Sequence, residues 1–392
     1  MNFCGIVCEF NPFHNGHEYI IQEAKKQTGS QIVCLMSGDF VQRGTPAFLD
    51  KHTRAKHAIN AGANAVLELP VIYATSNAEN FALGAIKIFK ALGIKQIAFG
   101  IENTSLETLK QVAKLKFENS KRFQTAFKNE TENGINYNTA LKRSIANTLG
   151  DPKILDVLSK PNNILAIEYL TAILKLDADI SPVAIERCDN GYNSTDSKEQ
   201  FASASAIREF VKAGKNVQPF VPNYAQLENI LSENENKIYE SLVIFNLRKN
   251  SAKTLETFYD YNEGIEYRIK EMSNKHSTLA EITNAITTPR YRVSRVNKLL
   301  LYPLLKITKK VITLASKTKP AVRVLAISKS NKELLKLAPK SKISLVVTNT
   351  DSNKLSKAQK QIFDLDTNAS NIYAIVKSQP NNLDKKIGTM FL

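Results

Sequence analysis

The chain has 392 residues, 43% of them hydrophobic, with four cysteines and a formal net charge of +16. That length exceeds one typical domain and the apolar fraction supports a sizeable core, so two or three domains are expected. No run of about 18 apolar residues exists and no basic segment followed by an apolar region opens the chain, so membrane insertion and secretion are not expected and a cytoplasmic location is.

In chain order, Phe3-Cys4-Gly5-Ile6-Val7-Cys8-Glu9 is an apolar run that reads as a buried parallel strand. A turn with Pro12 and Gly16 follows, then a helical pattern from about His17 to Lys26. Strand patterns recur at Ile32–Met36, Ala65–Leu69 and Gln96–Phe99, separated by helical patterns at Asp50–Ala61 and Ala78–Leu92. Strand and helix alternating at this spacing predict an open α/β sheet. A helix-rich stretch covers residues 105–177, in which Asn162-Asn163 opens an apolar period running to Leu174. Val183–Arg187 reads as a strand and Ser203–Ala213 as a helix. Beyond the Pro219–Pro222 turn, residues 225–310 are mostly helical, and Val322–Ile327 and Ile343–Val347 read as short strands. The expected organisation is an α/β domain over 1–230 and a basic, mostly helical domain over 231–392.

Charge is unevenly spread. Lys and Arg stand against Asp and Glu at 25 to 23 over residues 1–230, but at 28 to 14 over 231–392. Between Glu281 and Glu333 there are twelve Lys or Arg residues and no carboxylate. A solvated basic face would account for the lysines, but the missing carboxylates favour contact with nucleic acid. The cysteines are too few for a disulfide scaffold. Cys4 and Cys8 share one strand face, Cys34 lies in the next strand, and neither these nor Cys188 forms a CxxC pair. They read as small buried hydrophobes rather than redox or metal groups.

The segment Glu9-Phe10-Asn11-Pro12-Phe13-His14-Asn15-Gly16-His17 carries the strongest chemical signal, because it follows the first strand and opens the first helix. Gly16 lets backbone approach a phosphate, and the helix N-terminus offers amide donors and a positive dipole end. His14 and His17 can donate hydrogen bonds to phosphoryl oxygens as charge builds in an in-line displacement. The alternative is two histidines that merely cap or pack a turn. His52, His57 and His276 read as surface or packing residues.

These residues resemble the HIGH-motif nucleotidyltransferase superfamily. The loop Ser37-Gly38-Asp39-Phe40-Val41-Gln42-Arg43-Gly44 narrows the resemblance, together with Glu68-Leu69-Pro70, Ala78-Glu79-Asn80-Phe81-Ala82 and Phe99-Gly100. So do Pro161-Asn162-Asn163-Ile164-Leu165, Arg187 and Phe201-Ala202-Ser203-Ala204-Ser205-Ala206-Ile207-Arg208. In order across residues 1–210, they look like the bacterial tRNA(Met) cytidine acetate ligase family. The resemblance implies a Rossmann-like α/β nucleotidyltransferase domain that makes acetyl-adenylate from ATP and acetate. The acetyl group then passes to the exocyclic amine of the wobble cytidine of elongator tRNA(Met). It also implies that ATP lies on Val7, Cys8, the segment Glu9–His17, Glu18, Tyr19 and Ile20, with further contacts at Gly100, Asn162 and Arg187.

Residue chemistry adds detail. Ser203, Ser205 and Arg208 resemble the second superfamily signature and would hold the β- and γ-phosphates; an ordinary serine N-cap is the alternative. Gly100 ends a strand where a side chain would block a nucleotide. Asn162 either caps a helix or reads a nucleotide edge, and Arg187 at a strand end favours a ligand anion. The loop with Asp39 and Arg43 lies past a strand's C-terminal end, where open α/β sheets bind ligands, and is expected to shape the acyl or cytidine pocket. No dense Asp/Glu cluster declares a metal cage, so Mg²⁺ is expected to travel with ATP.

For RNA, Arg290, Tyr291, Arg292, Arg295 and Lys298 are the candidates. Arg292, Arg295 and Lys298 are three apart and would line one helical face, while Tyr291 would stack on a base. No obligate protein partner is evident. Two other readings stand beside the ligase. One is an adenylyltransferase acting on a small phosphorylated metabolite, which would not need the basic C-terminal part. The other is a non-catalytic RNA-binding protein, which would not need the intact HNGH.

Overall fold

The computed structural model describes residues 2–132, 137–187, 201–330, 334–335 and 342–392, and Cys188 lies outside the described residues. Its strands are β1 Phe3–Cys8, β2 Gln31–Ser37, β3 Phe40–Val41, β4 Thr45–Pro46, β5 Ala65–Leu69, β6 Gln96–Ile101, β7 Ser181–Glu186, β8 Ala321–Ile327, β9 Ser344–Val346 and β10 Met390–Phe391. The main sheet has the order β10-β8-β5-β2-β1-β6-β7, with β9 also on β8; β3 and β4 form a separate antiparallel ribbon. The apolar first strand is central because it is flanked on both edges, by β2 and β6, and both pairings are parallel. β5 and β7 extend the parallel run outward. Helices cover both faces. Ile21, Ala24, Ala55 and Ala58 pack on one side, and Ile86, Phe89, Leu109 and Ile167 on the other.

The sheet crosses the boundary expected at residue 230. β8 pairs antiparallel with β5, and β9 and β10 pair with β8. The reason is visible in β8 itself, where all seven residues from Ala321 to Ile327 are buried. Such a strand must be paired and covered, and the open edge of β5 supplies the partner.

Between the two halves of the sheet the chain builds a helical body that includes Glu233–Lys249, Ile265–Lys275, Leu279–Ile286, Val293–Leu305 and Lys309–Lys317. The helix Lys357–Val376 packs into it. Three of these helices open on capping boxes, Ser232 with Glu235, Thr278 with Glu281 and Ser356 with Gln359. The core of this body takes in Phe40, Phe48, Val71 and Ile72 beside Tyr239, Leu299 and Tyr302, so it is seated on the α/β part rather than tethered to it.

The ribbon's turn is one contact between the two. Gly44 has φ +76°, and a Cβ there would lie 2.7 Å from the Lys298 backbone nitrogen and 2.9 Å from the Asn297 carbonyl carbon. Neither neighbour is a flexible side chain that can move aside. Gly44→Ala is therefore expected to cost about 1–3 kcal/mol, read as a lower midpoint in equilibrium denaturation.

A second tie is ionic and buried. Lys51 Nζ lies 2.8 Å from Glu68 Oε1, 2.9 Å from Asp384 Oδ1 and 3.8 Å from Asp39 Oδ2, and donates to Ser370 Oγ at 2.7 Å. Arg323 reaches Glu68 Oε2 at 3.2 Å and Asp384 Oδ2 at 3.1 Å. These groups come from the loop after β2, the helix Lys51–Asn60, β5, β8 and the C-terminal helices.

Candidate active site

The C-terminal ends of β1, β6 and β7 open into a cavity of about 690 Å³. That volume falls within the range of small-molecule sites, and its place is where open α/β sheets bind ligands. One wall comes from β1 and the segment after it: Val7, Cys8, Glu9, Phe10, Asn11, His17 and Ile20. Gly100, Asn162, Arg187, Ser203, Ser205 and Arg208 converge on the same space, as does Arg43 from the ribbon. Residues separated by almost 200 positions thus meet because parallel strands deliver each following turn to one sheet edge.

The remaining residues of the HxGH segment support this wall from behind. Phe13 is fully buried and Pro12 is buried. His14 is the helix N-cap, and its Nδ1 accepts the Gly16 backbone N–H at 3.1 Å. Its ring stacks on His17 with centroids 3.6 Å apart and planes 28° apart. Thus His17 lines the cavity, and His14 orders it and the turn. Gly16's amide is already engaged, which qualifies the expectation of free donors at this helix end. Asn15 donates to the Pro219 carbonyl at 2.9 Å, Glu18 accepts from the Tyr224 hydroxyl at 2.6 Å, and Tyr19 packs against the core below.

His17 is neutral at physiological pH. Burial pushes its pKa well below 6.5, and the neighbouring His14 and Arg187 push it the same way. Its Nδ1 is buried without a hydrogen-bond partner among the described residues. A neutral imidazole lining a cavity can still donate one N–H to a phosphoryl oxygen.

Gly100 lies at the end of β6 against Arg187. A Cβ there would lie 3.2 Å from Arg187 Cγ and 3.6 Å from Ile20 Cδ1, so glycine lets Arg187 cross the strand end. Asn162 is not the helix cap, since Lys160 holds that position without a side-chain bond. Instead its Nδ2 donates to Glu102 Oε1, and Asn163 grips the Glu102 backbone with 2.8 Å bonds in both directions. Ser203 is an N-cap, accepting the Ala206 N–H at 3.2 Å, and it lines the cavity as well. Arg208 donates to Ser205 Oγ at 3.0 Å and to the Asn11 carbonyl at 2.5 Å, locking the two signature segments together.

Asp39 is elsewhere. It was expected with Arg43 in the pocket, but its Oδ1 accepts the Lys51 N–H at 3.0 Å and its Oδ2 accepts the Ser370 hydroxyl at 2.7 Å, inside the buried ionic cluster. Asp39 precedes the ribbon and is turned inward, while Arg43 at the ribbon's tip is exposed and reaches the cavity.

The basic segment is also redistributed. Arg295 is bound to Asp260 at 2.7 and 2.9 Å and lies 4.6 Å over the Tyr291 ring, which is itself buried. Lys298 donates to the Ser76 carbonyl at 3.2 Å, and burial pulls its pKa down to about 8. Arg290 is paired with Glu263, and Arg292 is exposed at the start of its helix. Three apart in sequence did not mean one free face, because Asp260 takes Arg295 and Lys298 is drawn onto the Ser76 carbonyl.

Sequence reading missed three contributors. Glu102 organises Asn162 and Asn163. Arg54, with no solvent exposure, donates to the Glu9, Ser37, Gly38 and Leu49 carbonyls at 2.6–3.0 Å and fixes the ends of β1 and β2. The far wall, including Asn236, Tyr239, Glu240, Leu279 and Asn297, comes from the helical body. Arg54 carried no signal beyond one cation in an amphipathic helix.

Fold and site together define an α/β nucleotidyltransferase, and the family model described as HIGH Nucleotidyl Transferase matches residues 1–386. Among curated proteins, the tRNA(Met) cytidine acetate ligase of Caldanaerobacter subterraneus subsp. tengcongensis is 35% identical over 385 residues, covering 96% of this chain and 95% of its own. The enzyme of the same name from Clostridium perfringens is 34% identical over 393 residues, with 96% of each chain covered. The crystal structure of Thermotoga maritima TmcAL in its apo form matches with a TM-score of 0.90 at 27% identity, over 100% of both chains. A second crystal structure of that protein, bound with α-thio ATP, matches at 0.89 and 26% identity, again over 100% of both chains. The chain belongs to the tRNA(Met) cytidine acetate ligase family within the HIGH nucleotidyl transferases.

Proposed function

We propose that this protein is an ATP-dependent ligase that activates acetate as acetyl-adenylate and acetylates the exocyclic amine of the wobble cytidine of elongator tRNA(Met). The cavity carries this reading, since one wall holds the HxGH turn, Gly100, Asn162, Arg187 and the Ser203–Arg208 turn, and the other belongs to the basic helical body. An adenylyltransferase for a small phosphate ester would not need that second wall.

In this reaction ATP lies along the strand-to-HxGH wall with its α-phosphate beside His17. The acetate carboxylate attacks the α-phosphorus and pyrophosphate leaves, with charge building on oxygens that His17, Arg187 and Arg208 face. Mg²⁺ accompanying ATP would supply charge neutralisation on the phosphates. Residues 1–230 house the adenylation chemistry, and the helical body within 231–392 receives the RNA. The reaction belongs in the cytoplasm with tRNA; among the described residues no helix is long and apolar enough to cross a membrane.

Of the basic segment, Arg292 is the side chain offered to RNA phosphate, and Arg295 holds the surface in shape through Asp260. Arg292→Ala is expected to weaken tRNA binding and reduce the salt slope by about one phosphate contact, with acetyl-adenylate formation preserved. Binding titrations at several salt concentrations measure it, and an unchanged slope would remove Arg292 from the interface.

The function itself is tested by measuring AMP release with ATP and acetate, with and without bulk bacterial tRNA, followed by nucleoside analysis. Acetate-dependent AMP release together with N4-acetylcytidine in tRNA is the expected result. AMP release without modified RNA would mean a different acceptor, and no dependence on acetate would return the protein to plain adenylyl transfer.

A further inference from the structure

Acetyl transfer needs a group to take the proton from the attacking amine, and the cavity offers few. Among the described residues its lining contains three carboxylates, Glu9, Glu209 and Glu240. Glu209 is exposed and pairs with Lys212 at 3.2 Å. Glu240 sits across the space, on the helix Glu233–Lys249 of the far wall. Glu9 alone stands at the end of β1, on the wall that carries His17, where the α-phosphate and its acyl group would lie. Of the other titratable groups described there, His17 is neutral but made a weaker base by burial, His14 and Arg187, while burial pushes the Cys8 thiol and the Tyr169 and Tyr239 phenols up, so they hold their protons at neutral pH.

We infer that Glu9 is the proton acceptor in acetyl transfer, an inference that rests on the ligase reading above. Its carboxylate is held by one hydrogen bond among the described residues, the Gln42 backbone N–H donating to Oε1 at 2.6 Å. That contact orients the group and leaves Oε2 to the cavity. The backbone is fixed too, because Arg54 Nη1 donates to the Glu9 carbonyl at 2.7 Å. Burial raises the Glu9 pKa above 4.5, opposed by the Gln42 amide and by Arg54, Arg208 and Arg43. Cys8, Tyr169 and Lys298 complete the titratable groups that feel its charge. Burial makes this carboxylate more basic than one in water, while Arg54, Arg208 and Arg43 favour its charged form, which suits a proton acceptor. The guanidiniums around it offset its repulsion from an anionic acyl phosphate.

The step balances without a further reactant. The N4 lone pair of cytosine forms a bond to the acetyl carbon, and the bond from that carbon to the phosphate oxygen breaks. The oxygen leaves with its electron pair as AMP, and the N4 proton passes to Glu9 Oε2.

Glu9→Gln keeps the size and an oxygen able to accept from Gln42, but removes the base. Acetyl transfer from acetyl-adenylate to tRNA, measured in single turnover, is expected to fall on the order of 100-fold, while acetate-dependent pyrophosphate exchange falls by less than tenfold. The wild-type transfer rate should rise with pH through the Glu9 ionisation, and that rise should vanish in Glu9→Gln. Glu9→Asp should retain part of the transfer rate and the pH-dependent rise. Unchanged transfer in Glu9→Gln, equal loss of both half-reactions, or a larger transfer loss in Glu240→Gln would each overturn the assignment. A wild-type protein that forms acetyl-adenylate but never acetylates tRNA would instead sink the ligase reading itself.

Discussion

Lys51→Met is expected to destabilise the protein by about 3–5 kcal/mol, because it strips the central cation from a buried ionic cluster. The ammonium lies among Glu68, Asp384 and Asp39, with Arg323 as the second cation. Burial alone would pull the lysine pKa down, but Asp384, Glu68 and Asp39 hold it above its ordinary value. Asp384 shows the reciprocal effect: burial would raise it, yet Lys51, His52 and Arg323 keep it well below the usual carboxylate range. Nearby Asp366 is pushed up to about 8, by burial first and Glu68 second, so it adds little negative charge at neutral pH. Methionine would fill the space but leave more carboxylate than cation in a site with little water. Equilibrium denaturation measures the loss. Combining Lys51→Met with Asp384→Asn should restore part of it, because the two residues are coupled; strict additivity would show that the ion pair is not what Lys51 contributes.

His17→Ala should reduce acetyl-adenylate formation on the order of 10²–10³-fold, with ATP affinity changed far less. The reason is geometric: His17 is the histidine that lines the cavity, whereas His14 caps the helix and stacks behind it. Acetate-dependent pyrophosphate exchange separates the two, and a loss confined to ATP affinity would mean that His17 binds the ground state only. A pH signature accompanies it. Because the folded-state pKa of His17 lies below 6.5, its contribution to stability is present above that value and lost as pH falls through the range where the unfolded chain takes up the proton. His17→Ala should therefore lose less stability than the wild type on acidification below about 6.5.

The N-terminal motifs were legible because each is local. A strand, a tight turn and a helix start are encoded within some fifteen residues, so β1, the HxGH turn and its helix could be read from composition and spacing alone. The capping boxes at Ser232, Thr278 and Ser356 carry the same kind of local signal. Buried partners were not legible. Arg54, Glu102 and Lys51 look like ordinary charged residues until the carbonyls or charges they satisfy arrive from elsewhere in the chain.

By itself, then, the sequence determined the parallel α/β framework, the order of the turns that line the cavity and the basic character of residues beyond 230, since each depends on neighbours within a turn or a strand. Only the tertiary structure decided which of those residues face the cavity and which cations stay free. It sends Asp39 into the ionic cluster, draws Arg295 onto Asp260, and adds β8 from the C-terminal part to the sheet. These outcomes are set by burial. A charge removed from water takes the nearest opposite charge, and an apolar strand takes the nearest open edge, whatever the distance along the chain.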